Sequence, residues 1–184
     1  YLPKLASGEM VGAIAMTEPG TGSDLQSVRA TARKSGNGYV LNGSKTFITN
    51  GSLADVAVVM AVTDKTKGKK GISALLVDRG TKGFRPGKKE DKLGVRSSDT
   101  SELIFEDCRI PASNQLGELG MGFVDTLKIL DRGRIGIAAF STGIAQGAFE
   151  AALSYAKGRK QFNQAIAEFQ GVQFKLSEMA LKID

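Results

Sequence analysis

The hydrophobic pattern of this chain changes period once, at the glycine-rich stretch Asn114–Gly122. After it, Phe123, Leu127, Leu130, Arg134, Ile137, Ser141, Ile144 and Ala148 recur at three- and four-residue spacing, which marks one face of a helix. The pattern runs on to about Tyr155, long enough for a helical bundle, and a second helix is predicted from about Phe169. Before the switch, short apolar runs alternate with turn residues up to about Ala112, which predicts a sandwich or barrel rather than a βαβ sheet. The expected fold class is α+β. An antiparallel β-sandwich or barrel-like domain covers residues 1–113, and the first helices of an α-helical bundle domain cover residues 114–184. Gly133, Gly136, Gly143 and Gly147 are poor helix formers inside the long pattern, and are expected where a neighbouring helix or a ligand packs against the backbone.

Within the β-rich part, Val11–Met16 reads as a buried strand and Val28–Lys34 as an alternating one. Gly36-Asn37-Gly38 sets a hairpin turn before Tyr39–Leu41, and Asn42-Gly43 is expected to set a second turn before Lys45–Thr49. Asp55–Thr63 and Gly71–Asp78 are apolar strands joined by the lysine-rich Lys65–Lys70, read as a solvated hairpin tip without an assigned function. Ser101–Glu106 is a further half-buried strand, closed by Ile110-Pro111.

Composition removes several chemistries. With no histidine among 184 residues, the chain cannot itself supply a Ser-His, Cys-His or His-metal mechanism. The single Cys108 excludes an intramolecular disulfide and a cysteine-rich zinc site, and fits a reducing soluble compartment. The formal charge of +6 suits an anionic partner. Its basic residues are scattered and poor in interleaved aromatics, which argues against nucleic acid and leaves a polyanionic small molecule or a plain basic surface. No signal peptide and no run long enough to span a membrane is visible. The opening at Tyr1-Leu2-Pro3-Lys4-Leu5 in mid-pattern, and the helical pattern still running at Asp184, are expected of a piece from the middle of a longer protein.

The stretch most able to carry chemistry is Thr17-Glu18-Pro19-Gly20-Thr21-Gly22-Ser23-Asp24, which follows the Val11–Met16 strand. Pro19 fixes one dihedral, and Gly20 and Gly22 allow close backbone approach. Backbone N–H groups and the hydroxyls of Thr17, Thr21 and Ser23 are expected to converge on an electron-rich acceptor, such as a phosphate oxygen or a flavin edge. It is neither a Walker loop nor a G-x-G-x-x-G turn, and by composition alone it is a surface turn. Phe47-Ile48-Thr49 reads alone as a strand. Leu127, Leu130, Asp131 and Arg134 share one side of the long helix, where the charges fit either a buried structural ion pair or a substrate wall. Arg159, Phe162 and Gln170 read alone as an exposed helix end and its loop.

Taken together, Met16–Asp24, Phe47-Ile48-Thr49-Asn50, Leu130–Ala138 and Arg159-Lys160-Gln161-Phe162 resemble the signatures of the acyl-CoA dehydrogenases in order and spacing, over essentially the whole chain. The resemblance implies an FAD-dependent α,β-dehydrogenation of a fatty acyl-CoA thioester: a carboxylate base takes the α-proton and hydride passes to flavin N5. It implies electron-transfer flavoprotein as acceptor, a homo-oligomer built as a dimer of dimers, and a bacterial cytoplasm or mitochondrial matrix location. It places Ile14, Ala15, Met16, Thr17, Gly22, Ser23, Phe47, Ile48 and Thr49 against FAD, and directs Arg159, Phe162 and Gln170 to the FAD of a neighbouring subunit. It places Ser23, Leu127, Leu130, Asp131 and Arg134 on the acyl-CoA.

This chain departs from the family pattern at Phe47, where Trp is common, and at Asn163, where Gly often follows the Phe. A minority of the family carries its base at the position of Gly133. Here glycine stands there, so no residue of this chain is expected to be catalytic and the base is expected further C-terminal. The phrase around Gly133 is most similar to the short-chain or butyryl-type branch. Two alternatives are compatible with the sequence: a related acyl-CoA oxidase or nitroalkane oxidase, told apart by oxygen reactivity, and a flavin-free interaction module. FAD binding by residues 1–184 alone is expected to be weak.

Overall fold

The computed structural model describes residues 1–184. A short helix α1 (Leu2–Ser7) precedes strands β1 (Gly12–Ala15), β2 (Thr31–Ser35), β3 (Gly38–Thr49), β4 (Val56–Val62), β5 (Ile72–Asp78), β6 (Phe84–Lys89), β7 (Thr100–Pro111) and β8 (Gln115–Leu116). Helix α2 (Gly122–Gly158) follows, then the two-residue strands β9 (Lys160–Gln161) and β10 (Gln164–Ala165), and helix α3 (Gln170–Ile183).

Strands β1 to β8 form one sheet in the order β6-β7-β3-β2-β4-β5-β8, with β1 added to β4. Most neighbours are antiparallel, as expected for hairpin connections. The exceptions are β1 on Val56–Val59 and β2 at Val62, both parallel to β4 along the same edge. Parallel pairing needs a crossover: the β2–β3 hairpin intervenes between β1 and β4, and β3 between β2 and β4. The sheet is therefore mixed rather than purely antiparallel.

The core is built on the inward residues of this sheet. Leu41, Val59, Leu75, Leu103 and Phe105 are all at most 1% exposed, and Phe84 stacks on Phe105 with ring centroids 5.1 Å apart. Cys108 lies in the same cluster, fully buried, and burial pushes its thiol pKa up to about 11. A second cluster joins Val28, Met60, Ile72 and Ala74, and Phe123 from the first turn of α2 packs against it. Residues Tyr1–Leu127 accordingly make one compact unit and Lys128–Asp184 another. The change from strand to helix comes earlier, and residues 114–127 belong by packing with the sheet.

The hairpin at Gly36-Asn37 forms as expected, with Ser35 paired to Gly38 and Gly36 at φ +56°. The Asn42-Gly43 turn does not form. Strand β3 runs through it for 12 residues because β7 bulges opposite: Glu106 and Asp107 together face Asn42. The Asn42 side chain spans that bulge, accepting from the Asp107 N–H at 2.8 Å and donating to the Asp107 carboxylate at 3.2 Å. Gly43 is required there for closeness, since a Cβ would stand 2.8 Å from the Ala30 Cα. Strand β6 was not anticipated. Its Pro86 lacks a donor, which an edge strand tolerates.

The long helix is present at 37 residues. Its glycines do not mark close packing within this chain, because a Cβ at Gly133, Gly136, Gly143 or Gly147 would meet nothing within 4 Å. Two substitutions separate the kinds of glycine. A Cβ on Gly71, at the foot of the β4–β5 hairpin, would overlap the Asp64 carbonyl oxygen. Gly71→Ala is expected to lower unfolding free energy by about 1–3 kcal/mol. Gly143→Ala, placed in open space, is expected to raise helix stability by about 1 kcal/mol. Urea unfolding followed by circular dichroism measures both.

Candidate functional site

The candidate site of the first unit lies where β1 ends against β3. Strand β1 alternates, with Ala13 and Ala15 buried and Ile14 52% exposed, before Met16 and Thr17 leave it half-buried. The Thr17 carbonyl accepts a 2.8 Å hydrogen bond from the Thr46 N–H. That donor is free because β3 carries a bulge of its own: Thr46 and Phe47 together face Glu102 of β7. Phe47 takes φ +57°, an outlying value for a bulky side chain, and its ring is 63% exposed. Past the bulge, Ile48 returns to the core and Thr49 is exposed. Ile14, Phe47 and Thr49 thus expose their side chains, whereas those of Ala15 and Ile48 are buried.

The loop after Thr17 folds on itself. Glu18 and Thr21 exchange backbone hydrogen bonds at 2.9 and 3.0 Å, leaving Pro19 and Gly20 at the tip. Thr21 does not join the expected convergence of hydroxyls, because it is turned inward and donates to the Asp24 carbonyl at 2.9 Å. Gly22 and Ser23 are exposed.

Underneath lies a polar centre that sequence reasoning missed. Lys45 is fully buried and Glu18 nearly so, and the Lys45 Nζ lies 2.8 Å from Glu18 Oε1 and 3.0 Å from the Met16 carbonyl oxygen. The Glu18 carboxylate also accepts the N–H groups of Arg29 and Ala30 at 2.7 and 3.0 Å. Burial alone would raise the Glu18 pKa, but the Lys45 ammonium and the two N–H donors outweigh it and hold the carboxyl below its ordinary value. Burial pulls the Lys45 pKa down against the opposing pull of Glu18. A signal for Lys45 was available: at period two it falls in line with buried Tyr39 and Leu41.

In the second unit, Asp131 and Arg134 form an ion pair at 3.6 Å across one helical turn, with both side chains about 80% exposed. This rules out the buried structural pair within this chain, and a pair so exposed contributes little stability. Leu130 lies on the same helix, 37% exposed, and Leu127, in the first unit's last turn, is 42% exposed. The Arg159 carbonyl accepts from Ile166 at 2.8 Å, and β9 and β10 form a hairpin whose turn is Phe162-Asn163. Both turn residues have positive φ, +52° and +64°, and asparagine tolerates that region nearly as well as the glycine common there. The Phe162 ring is 90% exposed and stands edge-on to Phe169, while Gln170 opens α3 and is exposed.

No group of three or more acidic, Cys or His side chains is placed to hold a metal ion, and no helix is long and apolar enough to cross a membrane.

The first unit is a mixed sheet with an aromatic held out on a bulge, and the chain continues into a long helix. Family models match both parts: acyl-CoA dehydrogenase, middle domain, over residues 13–108, and acyl-CoA dehydrogenase, C-terminal domain, over residues 120–184. The chain belongs to the acyl-CoA dehydrogenase family. The short-chain specific acyl-CoA dehydrogenase of Clostridium acetobutylicum is 50% identical over 184 residues, covering 100% of this chain and 48% of that protein. The structure of butyryl-CoA dehydrogenase from Megasphaera elsdenii matches with a TM-score of 0.94 at 47% identity, over 100% of this chain and 48% of that one. A chain from a structure concerning the electron transferring flavoprotein of Acidaminococcus fermentans and flavin-based electron bifurcation matches with a TM-score of 0.95 at 51% identity. That match covers 100% of this chain and 48% of the other. The chain spans about half the length of the curated relatives it matches.

Lys45→Met leaves Glu18 buried without its cation and is expected to cost about 3–5 kcal/mol in urea unfolding. The wild type should also lose stability in acid. Because the folded Glu18 pKa lies below its unfolded value of about 4.3, this contribution is complete above that pH and is lost as pH falls through the folded value. Glu18→Gln should flatten the urea midpoint against pH in that window.

Proposed function

We propose that this chain supplies flavin-facing and acyl-CoA-facing surfaces of an FAD-dependent acyl-CoA dehydrogenase of the short-chain type, which forms the α,β double bond of a fatty acyl-CoA thioester. The observation that carries the reading is Phe47: a flat ring held out on a bulge, hydrogen-bonded through its neighbour Thr46 to the end of β1. An exposed aromatic held in an outlying backbone conformation suits the face of a planar heterocycle better than it suits open solvent. The surrounding residues fit FAD. Thr17, Ser23 and Thr49 carry hydroxyls, Ile14 and Met16 give an apolar border, Gly22 admits close approach, and Ala15 and Ile48 contribute backbone. Bound there, the flavin supplies the acceptor for the β-hydrogen as hydride.

The protein's own groups bind and orient. Leu127 and Leu130 are proposed as acyl-chain contacts, and Ser23, Asp131 and Arg134 as contacts to the coenzyme A portion. The exposed Asp131–Arg134 pair is free to exchange its mutual contact for polar groups of a ligand. Arg159 offers a fixed cation to a pyrophosphate, with Phe162 and Gln170 beside it in sequence order, and we assign these to the FAD of a neighbouring subunit in a dimer of dimers. Gly133 brings no carboxylate, so the acceptor of the α-proton is assigned outside residues 1–184. Electron-transfer flavoprotein is the proposed acceptor, supported by the matching chain from the Acidaminococcus fermentans structure. Bacterial cytoplasm or mitochondrial matrix is the compartment this reading implies.

The whole protein, mixed anaerobically with butyryl-CoA, should show a visible flavin band that bleaches. A protein that holds no flavin even after FAD is added would overturn the reading. Phe47→Ala should weaken FAD binding by roughly fivefold, about 1 kcal/mol, measured by titrating the apoprotein.

A further inference from the structure

We propose that Glu18 and Lys45 are positioning residues that fix the flavin-facing segment Met16–Thr17 against the bulge bearing Phe47. The proposal rests on the FAD reading above and deepens it. The geometry grips Thr17 from both sides. One ammonium, that of Lys45, holds the carbonyl of Met16 at 3.0 Å and the carboxylate of Glu18 at 2.8 Å, the residues immediately before and after Thr17. Thr17 itself accepts from Thr46, the residue immediately after Lys45. The other side of the Glu18 carboxylate is tied to the N–H groups of Arg29 and Ala30 at the entry to β2. Three segments, Met16–Glu18, Lys45–Thr46 and Arg29–Ala30, therefore meet on two buried side chains, and the end of β1 cannot shift along β3 without breaking several of these bonds.

Stability alone does not explain why two charges lie in this interior. A buried ion pair is commonly no more stabilising than apolar groups of the same volume. An apolar pair would fill the space but could not hold the Met16 carbonyl, so its distinctive contribution is the register between Thr17 and Phe47. That register sets where a hydroxyl and an aromatic ring sit relative to one another, which a rigid planar ligand senses directly.

The test compares wild type, Lys45→Arg and the double variant Glu18→Gln/Lys45→Met in the whole protein, apo and with FAD. Three readouts are taken: the apoprotein's thermal midpoint, amide hydrogen exchange at Thr46, and the dissociation constant for FAD. The double variant removes both charges together and leaves no charge buried alone, so its thermal midpoint should lie well above that of Lys45→Met, short of wild type only by the lost bond to the Met16 carbonyl. Its Thr46 amide should exchange about tenfold faster, and its FAD dissociation constant should rise about tenfold. Lys45→Arg retains a cationic donor and should keep the constant within about threefold of wild type. A folded double variant with wild-type exchange and wild-type FAD affinity would overturn the proposal and leave the pair a purely structural one. Should the double variant fail to fold, Glu18→Asp carries the same test, because it keeps the charge and shortens its reach by one methylene. Weakened FAD binding by that variant supports the positioning role, and unchanged affinity overturns it. A wild type that takes up no FAD overturns the cofactor reading itself, and this proposal with it.

Discussion

Strand β3 has to satisfy two neighbours at once, and the way it does so governs the first unit. It pairs with β2 along one edge and with β7 along the other. Two irregularities interrupt the β7 ladder, and they act in opposite senses. The first places an extra residue on β7 opposite Asn42, and the second places one on β3 at Thr46-Phe47. The second offset cancels the first, so Leu41 opposite Cys108 and Ile48 opposite Ser101 share one register. The core is thereby continuous at both ends of the strand. Only the stretch between the bulges is displaced, and that stretch carries Lys45 inward and leads to Phe47 outward.

This arrangement separates rigidity from exposure. The exposed Phe47 ring follows Thr46, whose N–H is held by the Thr17 carbonyl, and Thr17 is flanked by Met16 and Glu18, both held by the buried Lys45 ammonium. An N–H that a bulge releases from the ladder takes another partner, which matters most where the group is buried. The Thr46 donor finds one in Thr17, and the Asp107 donor finds one in Asn42. A site that must present a flat aromatic at a fixed height has reason to be built this way, with its unusual backbone angles enforced by the layer beneath.

Much of the architecture was legible because local signals agreed with it. The long helix announced itself by sustained spacing from Phe123 onward, and β4 and β5 by unbroken apolar runs with a charged connector between them. Asn42-Gly43 misled because the same dipeptide serves a tight turn and a strand crossed by a bulge, and only the residues of β7 decide between the two. Strand β6 was hidden by Pro86 and Gly87, which local propensity reads as a break. The parallel pairing of β1 with β4 joins segments more than 40 residues apart, beyond any periodicity. The same distance problem concealed the polar centre. Lys45 and Glu18 lie 27 residues apart, and although period two puts Lys45 in line with Leu41, nothing local pairs it with Glu18. The glycine loop, Phe47 and the Arg159–Phe162 hairpin were visible as motifs, whereas their roles came from resemblance to a family.

Cys108 sits fully enclosed in the sheet, and its thiol ionises only near pH 11. Thiolates, not thiols, react with maleimides and iodoacetamides, so in the native state at neutral pH this sulfur is silent toward both. No other cysteine competes with it in the sequence. A single cysteine introduced on an exposed position of the folded chain would therefore carry a fluorophore or spin label at one defined place, with the native thiol left untouched, and slow labelling of Cys108 would itself report the sheet opening.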